Sequence, residues 1–253
     1  MDIMPPLQRA GCQGCMDPGG IFPFTMAFQP IVDIQHRRID AYEALVRGPS
    51  GEGAYHVLSR VNDENRYAFD QACRTKAIDL ATRLGIACRL NINFLPNAVY
   101  EPKACIRATL AAAARTGFPL DKLTFEFVES EEIQDQHHTL RIIDEYRRHG
   151  FMIALDDFGT GYSGLSRLAQ LKPDIVKLDR ELVRDCDRNK LRLAIVAAVV
   201  AMGKETGIKI VIEGVERVEE VEALRSIGAQ FVQGFFYARP LFEGLVPECE
   251  IPW

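Results

Sequence analysis

Phe151-Met152-Ile153-Ala154-Leu155-Asp156-Asp157-Phe158-Gly159-Thr160-Gly161 is an apolar run that ends on two adjacent carboxylates and then breaks into a glycine-containing turn. A short apolar run bounded by such a turn reads as a buried strand, so both acids arrive where the chain leaves a sheet. Adjacent strand residues point to opposite faces, yet at a strand end the backbone turns and both carboxylates can line one cavity. The glycines allow positive dihedrals and exposed amides in the loop that follows.

The same arrangement recurs on both sides of this segment. Tyr42-Glu43-Ala44-Leu45-Val46-Arg47, Leu90-Asn91-Ile92-Asn93, Phe125-Glu126-Phe127-Val128-Glu129 and Val211-Ile212-Glu213-Gly214 each deliver acidic or amide groups from a strand-like run. Lys177, Asp179, Glu216 and Gln233 also fall at or just beyond strand ends. Any one of these residues reads as a solvated strand end; that account is poor for all of them together. Glu43, Asn91, Glu126 and Asp156 offer hard oxygen ligands without a Cys/His set, which favours Mg²⁺ or Mn²⁺ over structural zinc.

Between these runs the pattern alternates. Thr25–Val32 and Arg38–Arg47 read as strands joined by a short polar turn, hence an antiparallel hairpin. Phe69, Cys73, Ala77, Leu80 and Leu84 recur at helical spacing, predicting a helix over 65–84. Strands are then expected at 87–93, 122–129, 151–156, 173–178, 208–213 and 229–234. Helices are expected around 103–116, 136–149, 162–170, 189–206 and 217–227, with Gly117, Gly150, Gly207 and Gly228 as C-caps. An open parallel sheet would show similar alternation, but it binds mainly at one switch point, whereas a barrel gathers every strand end into one mouth. The α/β barrel is favoured.

Size and composition agree. The chain has 253 residues, 47% hydrophobic and 26% charged, which suits one large domain, here 24–253 behind a Gly/Pro-rich flexible leader at 1–23. A net charge of −5 offers no broad basic face for duplex DNA or an anionic membrane. Leu193–Gly203 is too short to span a bilayer, and no secretory signal is evident, so a cytoplasmic location is expected. Seven scattered cysteines do not form a disulfide scaffold. Cys12 and Cys15 resemble half a zinc site or a redox pair, but no second Cys/His pair lies nearby. His36, His56, His137, His138 and His149 are expected at the surface.

These motifs, in this order, resemble the EAL-type cyclic di-GMP phosphodiesterases. The resemblance rests on Gln29-Pro30-Ile31, Glu43-Ala44-Leu45-Val46-Arg47, Asn91, Glu126-Phe127-Val128-Glu129 and Asp156-Asp157-Phe158-Gly159-Thr160-Gly161-Tyr162-Ser163. It continues through Lys177-Leu178-Asp179, Glu213-Gly214-Val215-Glu216, Gln233-Gly234 and Arg239-Pro240, covering about residues 25–242. It implies a modified TIM (β/α)8 barrel whose first strand runs antiparallel. It also implies two divalent cations, Mg²⁺ or Mn²⁺, and hydrolysis of one phosphodiester of cyclic di-GMP to linear pGpG.

The resemblance further implies roles. Glu43, Asn91, Glu126 and Asp156 match ligands of the first cation, with Asp156 bridging to a second that Asp157 and Glu213 help to hold. Lys177 matches the lysine that positions or activates the nucleophile, and Glu213 and Asp157 join it as catalytic candidates. Gln29, Leu45, Arg47, Gln233, Phe235 and Arg239 are candidate substrate contacts, with Phe235, Phe236 and Tyr237 equally readable as packing. Glu129 and the loop Phe158, Gly159, Thr160 and Gly161 match an element coupling the metal site to a homodimer contact. Asn93 stands where many relatives have serine, and Gly164 replaces another frequent serine; neither change removes a ligand. Two alternatives stay open: a catalytically silent cyclic di-GMP-binding effector, and an unrelated TIM-barrel metal hydrolase.

Overall fold

The computed structural model describes residues 21–95, 99, 101–128, 135–161 and 164–253. The first half comprises strands β1 (Thr25–Asp33) and β2 (Arg38–Arg47), helices α1 (Ala54–Leu58) and α2 (Arg66–Arg83), and β3 (Arg89–Asn93). It continues with α3 (Pro102–Cys105), α4 (Arg107–Thr116), β4 (Leu123–Val128), α5 (Gln136–Arg148) and β5 (Met152–Phe158). The second half holds α6 (Gly164–Leu171), β6 (Ile175–Leu178), α7 (Arg180–Val183), α8 (Lys190–Thr206), β7 (Lys209–Ile212), α9 (Val218–Ser226), β8 (Phe231–Val232) and β9 (Leu241–Phe242).

Strands β2 to β8 pair in parallel, each with the next in sequence. β1 closes the ring between β8 and β2, antiparallel to both. The result is a modified TIM barrel of eight strands with an antiparallel first strand. The polar turn between β1 and β2 is too short for a crossover, so those strands must run antiparallel.

Alternation along the strands divides the apolar residues into two sets. The large core lies between strands and helices and includes Phe28, Leu90, Phe125, Leu155, Val176 and Ile212. A smaller cluster, Ile31, Ala41, Ala154, Ile175 and Val211, with Met152 and Phe231 packed against it, fills the barrel interior. Two residues further toward the C-terminal mouth, each parallel strand presents a polar side chain on the same inward face. Ala41 is followed by Glu43, Ala154 by Asp156, Ile175 by Lys177, Val211 by Glu213 and Phe231 by Gln233. In antiparallel β1 the order reverses, and Gln29 precedes Ile31. The mouth is thus one polar layer standing on an apolar plug.

Several boundaries differ from the sequence expectation. The helix expected at 103–116 is broken at Ile106, which ends α3 and begins α4. Strand β8 is only Phe231–Val232, because it meets β1 only at Val32 and Asp33. The unforeseen β9 pairs with Ala27 and Phe28, covering the edge that β8 leaves open. Gly117 and Gly207 close α4 and α8 at φ 75°, as C-caps. Leu193–Gly203 lies within α8, and no helix among the described residues is long and apolar enough to cross a membrane. The expectations for the leader at 1–20, with Cys12 and Cys15, lie outside the described residues, as do Glu129, Tyr162 and Ser163.

Candidate functional site

Four carboxylates converge on one lysine at the barrel mouth. Lys177 Nζ lies 3.2 Å from Glu43 Oε2, 3.0 Å from Glu126 Oε2, 3.2 Å from Asp156 Oδ1 and 2.8 Å from Glu213 Oε1. These residues come from β2, β4, β5, β6 and the residue after β7, so only barrel closure unites them. The lysine side chain is 1% exposed and Glu126 is fully buried. Lys177 can balance only one of the four carboxylate charges, so ionising all four requires further positive charge at the centre.

The electrostatics follow from that imbalance. Burial works against the Lys177 charge, but Asp156, Glu126, Glu213 and Glu43 outweigh it and hold the ammonium well above its ordinary value. Burial and the neighbouring acids push Glu126 and Glu213 well above the usual carboxyl range, although Lys177 opposes this. For Glu43 burial also raises the value, but Lys177 and hydrogen bonds from Gln233 and Asn93 leave it below normal. Asp157 is pushed up to about 6 by burial and by the charges of Asp156 and Asp179.

Amide side chains orient the acids. Asn93 Nδ2 donates to Glu43 Oε1 at 3.0 Å, and Gln233 Nε2 donates to Glu43 Oε2 at 2.8 Å. Gln233 Nε2 also reaches Gln29 Oε1 at 3.2 Å, while Gln29 Nε2 donates to the Ala238 carbonyl at 3.0 Å. Asn91 Nδ2 donates to Glu126 Oε1 at 2.7 Å, which leaves its own Oδ1 buried without a donor. A buried acceptor beside excess carboxylate charge is costly unless something positive meets it. Hard oxygens and an orphan amide oxygen are the donor set a divalent cation takes. The residues present therefore fit such ions.

The acids form two overlapping groups whose ligand atoms lie within 4.8 Å of one another: Glu43, Glu126 and Asp156, and Asp156, Asp157 and Glu213. Asp156 belongs to both, as a bridging ligand would. Asp157 reaches the second group through a left-handed backbone, φ 53°, with its N–H donating to Asp156 Oδ1 at 2.9 Å. That turn is how two adjacent strand residues come to serve one cavity. Gly234 is required behind Gln233, since a Cβ there would lie 2.0 Å from the Val215 carbonyl oxygen. A third acidic group, Asp185, Asp187 and Glu220, is already engaged by Arg217.

Two cavities flank the centre. One, of about 320 Å³, is lined by Gln29, Glu43, Asp156, Asp157, Lys177, Glu213, Gln233 and Phe235, and by Asp179, Arg180 and Glu216. The other, of about 340 Å³, is more apolar and runs past Leu45, Ile92, Asn93, Phe94 and Leu95. Arg239 stands off the first cavity with its guanidinium 4.2 Å from the Phe235 ring centroid. Arg47 borders neither cavity and donates to the Val46 carbonyl at 2.7 Å. Phe158 ends β5, and Gly159, Thr160 and Gly161 follow it beside the mouth, with Thr160 Oγ1 donating to the Asp157 carbonyl at 2.9 Å.

Tyr237 is buried, whereas Phe235 is 46% exposed, so the aromatic trio splits between packing and cavity wall. His36, His56 and His137 are exposed, but His138 and His149 are half-buried, and His138 bonds the Val99 carbonyl. Sequence reading missed Arg180, which pairs with Glu216 across the first cavity, Nη2 to Oε2 2.7 Å. It also missed the bond from Asn93 to Glu43. The two-residue spacing of Asn91 and Asn93 on one strand face was the available signal.

The family model described as EAL domain matches residues 23–240. A standalone versatile EAL protein from Vibrio cholerae O395, solved in its c-di-GMP-bound form, is 48% identical with a TM-score of 0.86, covering 89% of this chain and 95% of that one. The manganese/cy-diGMP complex of Klebsiella pneumoniae BlrP1 is 36% identical with a TM-score of 0.84, covering 90% of this chain and 58% of that one. Cyclic di-GMP phosphodiesterase NbdA of Pseudomonas aeruginosa is 29% identical over 235 residues, 85% of this chain and 28% of that protein. The chain spans about a quarter of the length of several curated relatives it matches.

Proposed function

The chain belongs to the EAL domain family, and we propose that it hydrolyses one phosphodiester bond of cyclic di-GMP to linear pGpG with the help of two divalent cations, Mg²⁺ or Mn²⁺. The observation that carries this reading is the buried Asn91 Oδ1, left without a donor beside four converging carboxylates. Glu43, Asn91, Glu126 and Asp156 would hold one cation, and Asp156, Asp157 and Glu213 the other. Such ions, when bound, polarise a phosphodiester oxygen and lower the pKa of water.

The chain's own residues supply the rest. Glu213 is the most exposed of the four acids around Lys177, at 18%, which places it to meet an attacking water. Lys177 places positive charge where negative charge develops on the phosphoryl group. Gln233, anchored on Glu43, orients the water or the phosphate oxygen beside it. Gln29, Leu45 and Phe235, which line the two cavities, and Arg239 beside Phe235 hold the dinucleotide, with Phe235 offering an exposed face to a guanine; Arg47 joins them by leaving the Val46 carbonyl. One cluster engages one of the two phosphodiesters, so ring opening is the first product-forming event. A homodimer that feels the site through residues 158–161 and Glu129 belongs to the same reading.

The test is a chromatographic time course with cyclic di-GMP and Mg²⁺, Mn²⁺ or excess chelator. Cation-dependent pGpG is expected. Tight binding without product over hours would make the chain a cyclic di-GMP effector instead.

A further inference from the structure

A buried ion pair lies behind the strand ends carrying Asn91, Asn93 and Glu126. Asp70 and Arg74 stand one turn apart on α2, with Arg74 Nη2 2.5 Å from Asp70 Oδ2 and side chains 0% and 2% exposed for Arg74 and Asp70. Arg74 Nη1 donates to the Tyr146 hydroxyl of α5 at 2.5 Å. The guanidinium carbon sits 5.4 Å from the Phe94 ring centroid and 5.3 Å from that of Phe125. Both rings are chain neighbours of the site: Phe94 follows Asn93, and Phe125 precedes Glu126. Asp70 Oδ1 accepts the backbone N–H of Leu95 at 3.1 Å, clamping the chain just beyond β3. Asp70 also borders the more apolar cavity together with Glu43, Asn93, Asp156 and Asp157.

Packing alone does not require these charges. Taking two ions out of water costs several kcal/mol each, and well-packed apolar residues of similar volume are often as stable or more so. Most of the remaining buried residues of α2 are apolar, among them Phe69, Cys73, Ala77 and Ile78, with Gln71 the polar exception. An apolar pair could fill the same space, but it could not accept the Leu95 N–H or hold a flat fork among Phe94, Phe125 and Tyr146. What the ion pair adds is a fixed geometry at the ends of β3 and β4.

We infer that Asp70 and Arg74 are positioning residues for the acid centre. They set the ends of β3 and β4, and with them the hydrogen bonds from Asn91 to Glu126 and from Asn93 to Glu43 that aim the carboxylates. This inference rests on reading the centre as a divalent-cation site. Small displacements of such ligands carry large rate penalties, and groups behind metal ligands change affinity by about 10–100-fold when altered.

The test is the double variant Asp70→Leu/Arg74→Met, which removes both charges together and leaves no unpaired ion. Its melting temperature is expected to stay near that of the wild type, because removing two desolvated charges offsets the stranded Leu95 N–H and Tyr146 hydroxyl. Titration with Mn²⁺ alone, followed by electron paramagnetic resonance, is expected to show about tenfold weaker binding. The kcat for cyclic di-GMP falls about 10-fold or more, with KM changed much less. Tyr146→Phe keeps every ring and removes one anchor of the guanidinium; its Mn²⁺ affinity shifts the same way, by about threefold. That variant decides the matter if the double variant does not fold. Wild-type Mn²⁺ affinity in Tyr146→Phe, or in a folded double variant, overturns the inference. Wild-type protein that neither binds Mn²⁺ nor forms pGpG overturns the cation-site reading itself, a separable outcome.

Discussion

Lys177 and Glu213 meet across the barrel mouth from β6 and the residue after β7, with Nζ and Oε1 2.8 Å apart and the lysine almost wholly buried. Under the proposed function, a charge held that firmly among acids acts on the reacting phosphoryl group more than on the ligand as a whole. Lys177→Ala is expected to lower kcat by about 10²–10³-fold, the range for removing one preorganised group that stabilises transition-state charge. Ligand affinity should fall far less. Steady-state kinetics beside calorimetric binding separates the two, and equal losses would show that the lysine mainly holds the ground-state phosphate.

Glu43 belongs to the first acid group and anchors Gln233 and Asn93. Glu43→Ala is expected to abolish turnover with either Mg²⁺ or Mn²⁺ while the far-ultraviolet circular dichroism stays unchanged. Stranding two amide donors should cost about 1–3 kcal/mol of stability. Mn²⁺ should raise the melting temperature of the wild type by mass action and do so far less for the variant. Near-normal activity in Glu43→Ala would remove it from the site.

Phe235 is 46% exposed in the first cavity and carries Arg239 on its ring. Loss of a base-stacking ring costs about 1–3 kcal/mol, so Phe235→Ala should raise KM by roughly tenfold with kcat little changed. Unchanged KM would assign the ring to packing at the rim.

Asp33 sits at the opposite end of β1 and is fully buried at the seam with β8. Burial alone would raise its carboxyl, but hydrogen bonds from Gln230 and His36 outweigh it and hold the pKa below the usual 3.8. A depressed carboxyl contributes stability above its unfolded value and loses it as pH falls through the folded one, so the window lies below about pH 4. Asp33→Asn should be less stable than wild type at pH 7 and converge with it as pH drops. Melting temperatures between pH 7 and 2 would show this; parallel curves would contradict it.

Much of the site was readable because strand geometry is local. Glu43, Asp156, Lys177, Glu213 and Gln233 each follow an inward apolar residue by two positions, and a period of two is printed in the chain itself. The antiparallel hairpin was equally plain, since a turn of a few residues admits no crossover. Arg180, Asp70 and the bond that Asn93 makes to Glu43 were not legible. Their meaning lies in partners from other elements: Glu43 for Asn93, Glu216 for Arg180, and the Leu95 N–H for Asp70. The short β8 and the added β9 were missed for the same reason, as both depend on how far β1 extends past its neighbours.

The sequence by itself determined which polar residues lie near the strand ends and which of them face inward, because backbone alternation and turn formation act over a few residues. Only the tertiary structure decided that Lys177 stands within 3.2 Å of four carboxylates and that Asn91 keeps a buried oxygen without a donor. Those distances depend on strand stagger and ring closure, which are settled by packing around the whole barrel.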